Sequence, residues 1–229
     1  MIIRHEDIKS EYIKILVITL ITTHLACWGS CYTISSLNGT LNYPNLFLSR
    51  AMDADPSRAI ACILFPLIAC IQGLILLLRS VLLSSRVQTL KQINLWRAFN
   101  ICAVCSSVSM IAVPAIPYSK YGNLHLASAY VLFIAGFVIT FVSSALDRSL
   151  KLNVDRWISR LRLGLIALGL LGSIGFAVFF NIDYFLSSIS EFIAASCMTG
   201  YICTLAHESE FFNDERKPSD TETGSLKLV

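Results

Sequence analysis

The sequence predicts an all-α fold: a polytopic membrane protein, a six-transmembrane-helix bundle with both termini cytosolic. Three observations predict it. First, 55% of the 229 residues are hydrophobic and only 14% are charged, against about 25% in soluble domains. Second, the charges are clustered, so that Arg58 and Arg79 enclose 20 uncharged residues and Arg162 and Asp183 enclose another 20. At 1.5 Å per residue, such a run reaches roughly 30 Å, the thickness of the hydrocarbon layer. Third, 15 of the 18 Lys and Arg residues fall on alternate connections and the ends, the side that positive charge marks as cytosolic. A soluble enzyme, a secreted disulfide scaffold and a disordered chain are excluded. Continuous apolar runs also exclude short alternating β-barrel strands. The net charge of +3 is small and gives no sign of nucleic acid as a partner.

The spans are expected at about 15–34, 59–78, 98–117, 125–146, 163–182 and 188–207. Lys14, Arg79, Arg97, Asp147 and Arg162 are read as charges that bound them, and Glu191 interrupts the sixth near its start. Residues 1–14 form a cytosolic segment, 15–208 the membrane domain and 209–229 a polar, disordered cytosolic tail in which Ser219 precedes acidic residues. The connections 34–58, 118–124 and 183–187 are then luminal or extracellular. The first span reads as a signal anchor, because its apolar run is too long for a cleaved signal. Neither a myristoylation, a prenylation nor an ER-retention motif is found. The sequon Asn38-Gly39-Thr40 lies on the luminal side, close to the first span, and is either used or idle.

In lipid, helices associate through close backbone approach and hydrogen bonds rather than apolar burial. Small residues four apart share a helix face, and three such stripes are expected to be packing seams: Gly136, Thr140 and Ser144; Gly169, Ser173 and Ala177; Ser196, Gly200 and Thr204. Pro66, Pro114 and Pro117 bend or end helices.

Ionisable groups at membrane depth are functional candidates. They are few: His24 mid-span, the neutral Gln72 and Asn100, His125 and Glu191 at luminal ends, and His207 and Glu208 at a cytosolic end. Glu191 and Glu208 stand 17 residues apart, about 25 Å along one helix, and cannot pair. Without a mid-membrane acid a proton-coupled pump is disfavoured, and His24 is expected to bond a neighbouring helix. All eight cysteines fall inside spans. Cys102-x-x-Cys105 lacks the setting of a redox motif and no second pair completes a zinc site, so no metal or cofactor is expected. Cys31 and Cys62 lie at similar depth, which leaves a disulfide open. The first loop carries Asn45, Ser49, Arg50, Asp53, Asp55 and Arg58. With His125 and Glu191 it would converge on the luminal face, either for hydrolytic chemistry or to fix the loop. Structural roles are favoured, because no Gly-x-Ser-x-Gly nucleophile is present.

Several segments now resemble a family. His125-x-x-x-Ala129-x-x-x-Phe133-x-x-Gly136 is similar to the segment that opens the fourth span of the DRAM proteins, the damage-regulated autophagy modulators. Glu191, Thr204 and Glu208 match a spacing found there and in the related GPI-anchor remodelling proteins. Asn100, and Tyr43-Pro44-Asn45-Leu46-Phe47 leading to Asp53 and Pro56, are also similar. The stretch Asp55-Pro56-Ser57-Arg58 departs, since DRAM-type loops place an acid after that proline; it is closer to the remodelling branch. The resemblance covers about residues 15–211. It implies a non-enzymatic regulator of autophagy in lysosomal or endosomal membranes, with membrane lipids, and proteins reached through the cytosolic loops and tail, as partners. A GPI-anchor lipid-remodelling protein of the ER or Golgi, or a plasma-membrane scaffold that recruits a phosphoinositide kinase, are the alternatives it leaves.

Overall fold

The computed structural model describes residues 10–152 and 154–214, with the side chains of residues 11–152 and 154–205. Its elements are α1 (Ser10–Leu37), the single turn α2 (Leu48–Ala51), α3 (Ser57–Ser84), α4 (Leu90–Ala115), α5 (Tyr118–Ser149), α6 (Arg156–Phe179) and α7 (Tyr184–Asp214). All but α2 are long and apolar enough to cross a membrane. A helix satisfies its own backbone groups, which is why a lipid-embedded chain takes this form. Residues 1–9 and 215–229, including Ser219 and most of the expected tail, lie outside the described residues.

The observed helices contain most of each expected span and outrun it, mostly at the end away from the 38–56 loop. α3 continues past Arg79, α5 past Asp147, and α6 begins before Arg162. These three charges were expected to bound the spans. Instead they lie inside helices and are buried, because each finds a partner across the bundle. At the loop end, α4 stops at Ala115 and α6 at Phe179, short of the expected 117 and 182. Pro117 then starts α5, whose first turn breaks at Tyr121 (φ −135°, ψ 49°). Thr89 caps α4: its hydroxyl accepts from Gln92 N–H, and the Gln92 side chain accepts from Thr89 N–H.

The helices form a ring in which α1 lies beside α3 and α7, α3 beside α4, α4 beside α5 and α6 beside α7. The ring closes loosely, since α5 meets α6 and α7 over only a few residues. The tight seam between α6 and α7 is made by glycine. A Cβ on Gly172 would stand 2.9 Å from the Ser190 carbonyl oxygen and 3.0 Å from the Ala194 nitrogen. One on Gly175 would meet Ser190 Oγ at 2.6 Å, and one on Gly169 would meet Cys197 and Phe137 at 3.0 Å. The α6 seam is therefore Gly169–Gly172–Gly175, at a spacing of three, and not the expected Gly169–Ser173–Ala177; Ala177 is exposed. Gly136 and Thr140 are buried as expected, Gly136 against Met198. Ser144 reaches the Tyr201 hydroxyl at 3.1 Å. On α7, Ser196 is half-buried, Gly200 faces Leu165 at ordinary contact distance and Thr204 is buried.

Cys31 and Cys62 are free thiols. Cys31 is directed at the Ser57 carbonyl (3.5 Å) and Cys62 at the Pro114 carbonyl (3.3 Å), so the pairing left open above is not formed.

Gly172→Leu is expected to destabilise the bundle by about 1–3 kcal/mol, the scale of overpacking a filled interface. Ala177→Leu should leave it unchanged. Thermal unfolding in detergent separates the two.

Candidate functional site

Two polar constellations stand at opposite ends of the bundle. The first lies away from the 38–56 loop. Asp147 on α5 accepts from Arg79 of α3 through Oδ1 (2.6 Å) and from Arg162 of α6 through Oδ2 (3.0 Å). Arg79 also donates to Ser143 Oγ. Arg162 reaches α7, donating from Nε to Thr204 Oγ1 (2.8 Å) and from Nη2 to the Thr204 carbonyl (3.1 Å). Each guanidinium stacks on a ring, Arg79 over Phe99 at 5.7 Å and Arg162 over Tyr201 at 5.5 Å. Four helices are thus tied by charge-assisted bonds in a low-dielectric setting. Thr204 acquires a role here that sequence spacing alone did not give it. Glu208 follows one turn later on α7, and its side chain lies outside the described residues.

The second constellation is at the loop end. The loop folds back over the bundle because its backbone is claimed by side chains below it. Tyr32 donates to the Leu46 carbonyl (2.9 Å), Ser35 to the Ala51 carbonyl (2.6 Å), and Leu46 N–H is received by Ser188 (3.2 Å). Leu48 N–H, opening α2, is received by Glu191 Oε2 at 2.8 Å. Phe47 sits among Phe176, Phe180 and Tyr184. Asp53 accepts from Ser119 N–H through both oxygens (3.1 Å).

The loop, His125 and Glu191 do converge, around an open pocket of about 750 Å³, rim space included, that Asn45, Ser49 and Arg50 also line. Asp53 and Asp55 are not part of it; Asp55 is exposed. Arg50 lies over the Tyr118 ring at 5.1 Å. His125 is 3% exposed, and its Nδ1–H donates to the Ile116 carbonyl at 2.7 Å. In the neutral ring this leaves Nε2 as a bare acceptor, and Nε2 is buried with no partner among the described residues. Asn45 Oδ1 is in the same condition.

Below this pocket a narrow, largely apolar cavity runs down the bundle axis. His125, Ala129, Phe133 and Gly136 all line it. The spacing quoted from the fourth span is therefore the face of α5 that looks into the cavity. Glu191, Met198 and Thr199 face it from α7, His24 and Trp28 from α1, and Gln72 and Ser106 from α3 and α4. Gln72 donates to Ser106 at 3.3 Å. His24 is held by the Leu20 carbonyl of its own helix (3.1 Å) and approaches Thr199 of α7 at 3.5 Å, the interhelical contact expected of it. Asn100 stands apart, its amide given to the Trp96 carbonyl one turn back (2.9 Å). Asn38 is exposed, one residue beyond α1. Among the described residues no three His, Cys, Asp or Glu side chains come together as a metal site.

Residues 12–209 match the family model described as Frag1/DRAM/Sfk1/Cwh43P N-terminal domain. The chain belongs to this family. The match spans all six long helices, so the Frag1/DRAM-type domain is the whole bundle rather than a part of it. No curated protein and no solved structure matches the chain. Sequence reading missed the Arg79–Asp147–Arg162 cluster of this Frag1/DRAM-type protein. The available signal was that each charge bounds an apolar run, with helix-compatible sequence on its far side.

Asp147→Ala is expected to cost about 3–5 kcal/mol, because it strands two guanidinium groups in the interior. Thr204→Val should cost about 1–3 kcal/mol through the lost hydroxyl bond. Detergent melting curves check both. Glu191→Leu should release α2, read as faster proteolysis within residues 38–56 with the melting temperature little changed.

Proposed function

We propose that this protein is a multi-pass endomembrane regulator of autophagy and lysosomal function that performs no catalysis itself. It resides in lysosomal or endosomal membranes, with the loop end luminal and both termini cytosolic. The family match over residues 12–209 carries the reading, together with the DRAM-like spacing of His125, Ala129, Phe133 and Gly136 on one cavity face. The asymmetry of Lys and Arg supports the orientation. The non-enzymatic reading is supported by what the loop-end carboxylates do: Glu191 and Asp53 are committed to backbone N–H groups that hold the loop. Membrane lipids, and cytosolic proteins recruited through the 85–89 and 150–155 connections and the tail, are its partners. The exposed Asn38 is a glycosylation acceptor on the luminal side.

A second reading, lipid remodelling of GPI anchors in the ER or Golgi, is favoured by one feature: Pro56-Ser57-Arg58 lacks the acid of the DRAM-type loop. The two readings separate in cells. A tagged chain should co-localise with endolysosomal markers, and its deletion should change autophagic flux. Normal flux with loss of GPI-anchored proteins from the surface would establish the second reading instead.

A further inference from the structure

The loose closure of the ring leaves a lateral cleft between α5 and α6. Its walls are apolar, with Tyr130, Phe133 and Ile134 on one side and Ile174, Phe176 and Ala177 on the other. It measures about 690 Å³, rim space included, and from Tyr130 to Phe137 it runs about 10 Å along the helix. Ile134 and Ile174 are more than half exposed, so the cleft faces the hydrocarbon layer. Phe176 also lines the polar pocket at the loop end, and Phe133 also lines the axial cavity that contains His125. The Phe176 ring, packed on Tyr130 and Phe133 with centroids 6.2 and 6.1 Å apart, is thus the wall shared by an apolar slot open to lipid and a polar mouth.

Two polar atoms of the mouth lack a partner. His125 Nε2 is a buried acceptor without a partner, and so is Asn45 Oδ1. Leaving such a group bare is unfavourable, so each calls for an N–H or O–H from outside the chain. The Glu191 carboxylate and the Arg50 guanidinium, which lies over the Tyr118 ring, both border this space, so the mouth carries one charge of each sign and offers no net charge to an anionic head. Trp28 Nε1–H, on the wall of the axial cavity, is the complementary case, a buried donor without an acceptor. A hydroxyl next to ester carbonyls supplies both kinds of partner.

The geometry points to a binding site for an uncharged acyl lipid whose polar end is a free hydroxyl, of the diacylglycerol type. The hydroxyl donates to His125 Nε2 and one acyl chain lies in the α5–α6 cleft. The lipid enters sideways from the membrane. This site stands apart from the autophagy reading and fails or holds independently of it.

The test uses the purified full chain in phosphatidylcholine vesicles containing one of three photoreactive lipids with the same diazirine acyl chain. These are diacylglycerol, its acetylated hydroxyl-capped form, and phosphatidic acid. Diacylglycerol should label peptides containing Ile134 and Ile174 about tenfold more than the other two, the scale of one well-made hydrogen bond. His125→Asn keeps a nitrogen for the Ile116 carbonyl but removes Nε2, and should bring diacylglycerol labelling down to the level of the capped lipid. Ala177→Phe fills the exposed cleft, leaves the mouth intact, and should abolish labelling. Equal labelling by all three lipids, preference for phosphatidic acid, or undiminished labelling of His125→Asn overturns the assignment. Should His125→Asn not fold, the capped-against-free comparison on the natural chain and on Ala177→Phe decides.

Discussion

Asp147 is the point at which this bundle is tied. Lipid offers no hydrophobic reward for bringing one apolar helix against another, so a helical membrane protein depends on polar contacts and close backbone approach. Here a single carboxylate receives a guanidinium from α3 and another from α6, and the second of these continues to Thr204 on α7. Each charge buried at that depth would be costly alone. Together they bring α3, α5, α6 and α7 to one place, and the rest of the packing is built outward from it.

From that tie the two sides of the bundle differ. α6 and α7 lie almost backbone to backbone through Gly169, Gly172 and Gly175, while α5 leans on α4 and barely touches α6. The cleft between α5 and α6 is thus the consequence of where the small residues are. Its aromatic lining and open face are compatible with a stable fold only because hydrocarbon solvates them. At the other end, Glu191 accepts from the loop backbone at Leu48, and Asp53 of the loop accepts from Ser119 N–H of α5, which closes a polar lid over the cavity and leaves His125 Nε2 among its unmet groups.

The family assignment and the geometry meet on α5. His125, Ala129, Phe133 and Gly136 advance along one face, and that face is a wall of the axial cavity. Thr204 fits the same logic, since it anchors Arg162. Asn100 does not, being bonded only within its own helix.

The amino-acid sequence by itself determined that the chain is helical and crosses a membrane six times. An apolar run of some 20 residues has one low-energy form in lipid, and that depends on no other part of the chain. It also placed His125 and Glu191 with the first loop, because all three sit at the same end of their spans. Only the tertiary structure decided the rest. Arg79, Asp147 and Arg162 look like boundary charges in one dimension, and become interior ones when three helices bring them within 3.0 Å. The α6 seam follows a spacing of three rather than four because its face is set by the crossing with α7, which one helix alone does not encode. Which helices stay apart, and hence where a cleft opens, is a property of pairs, and pairs exist only in the folded bundle.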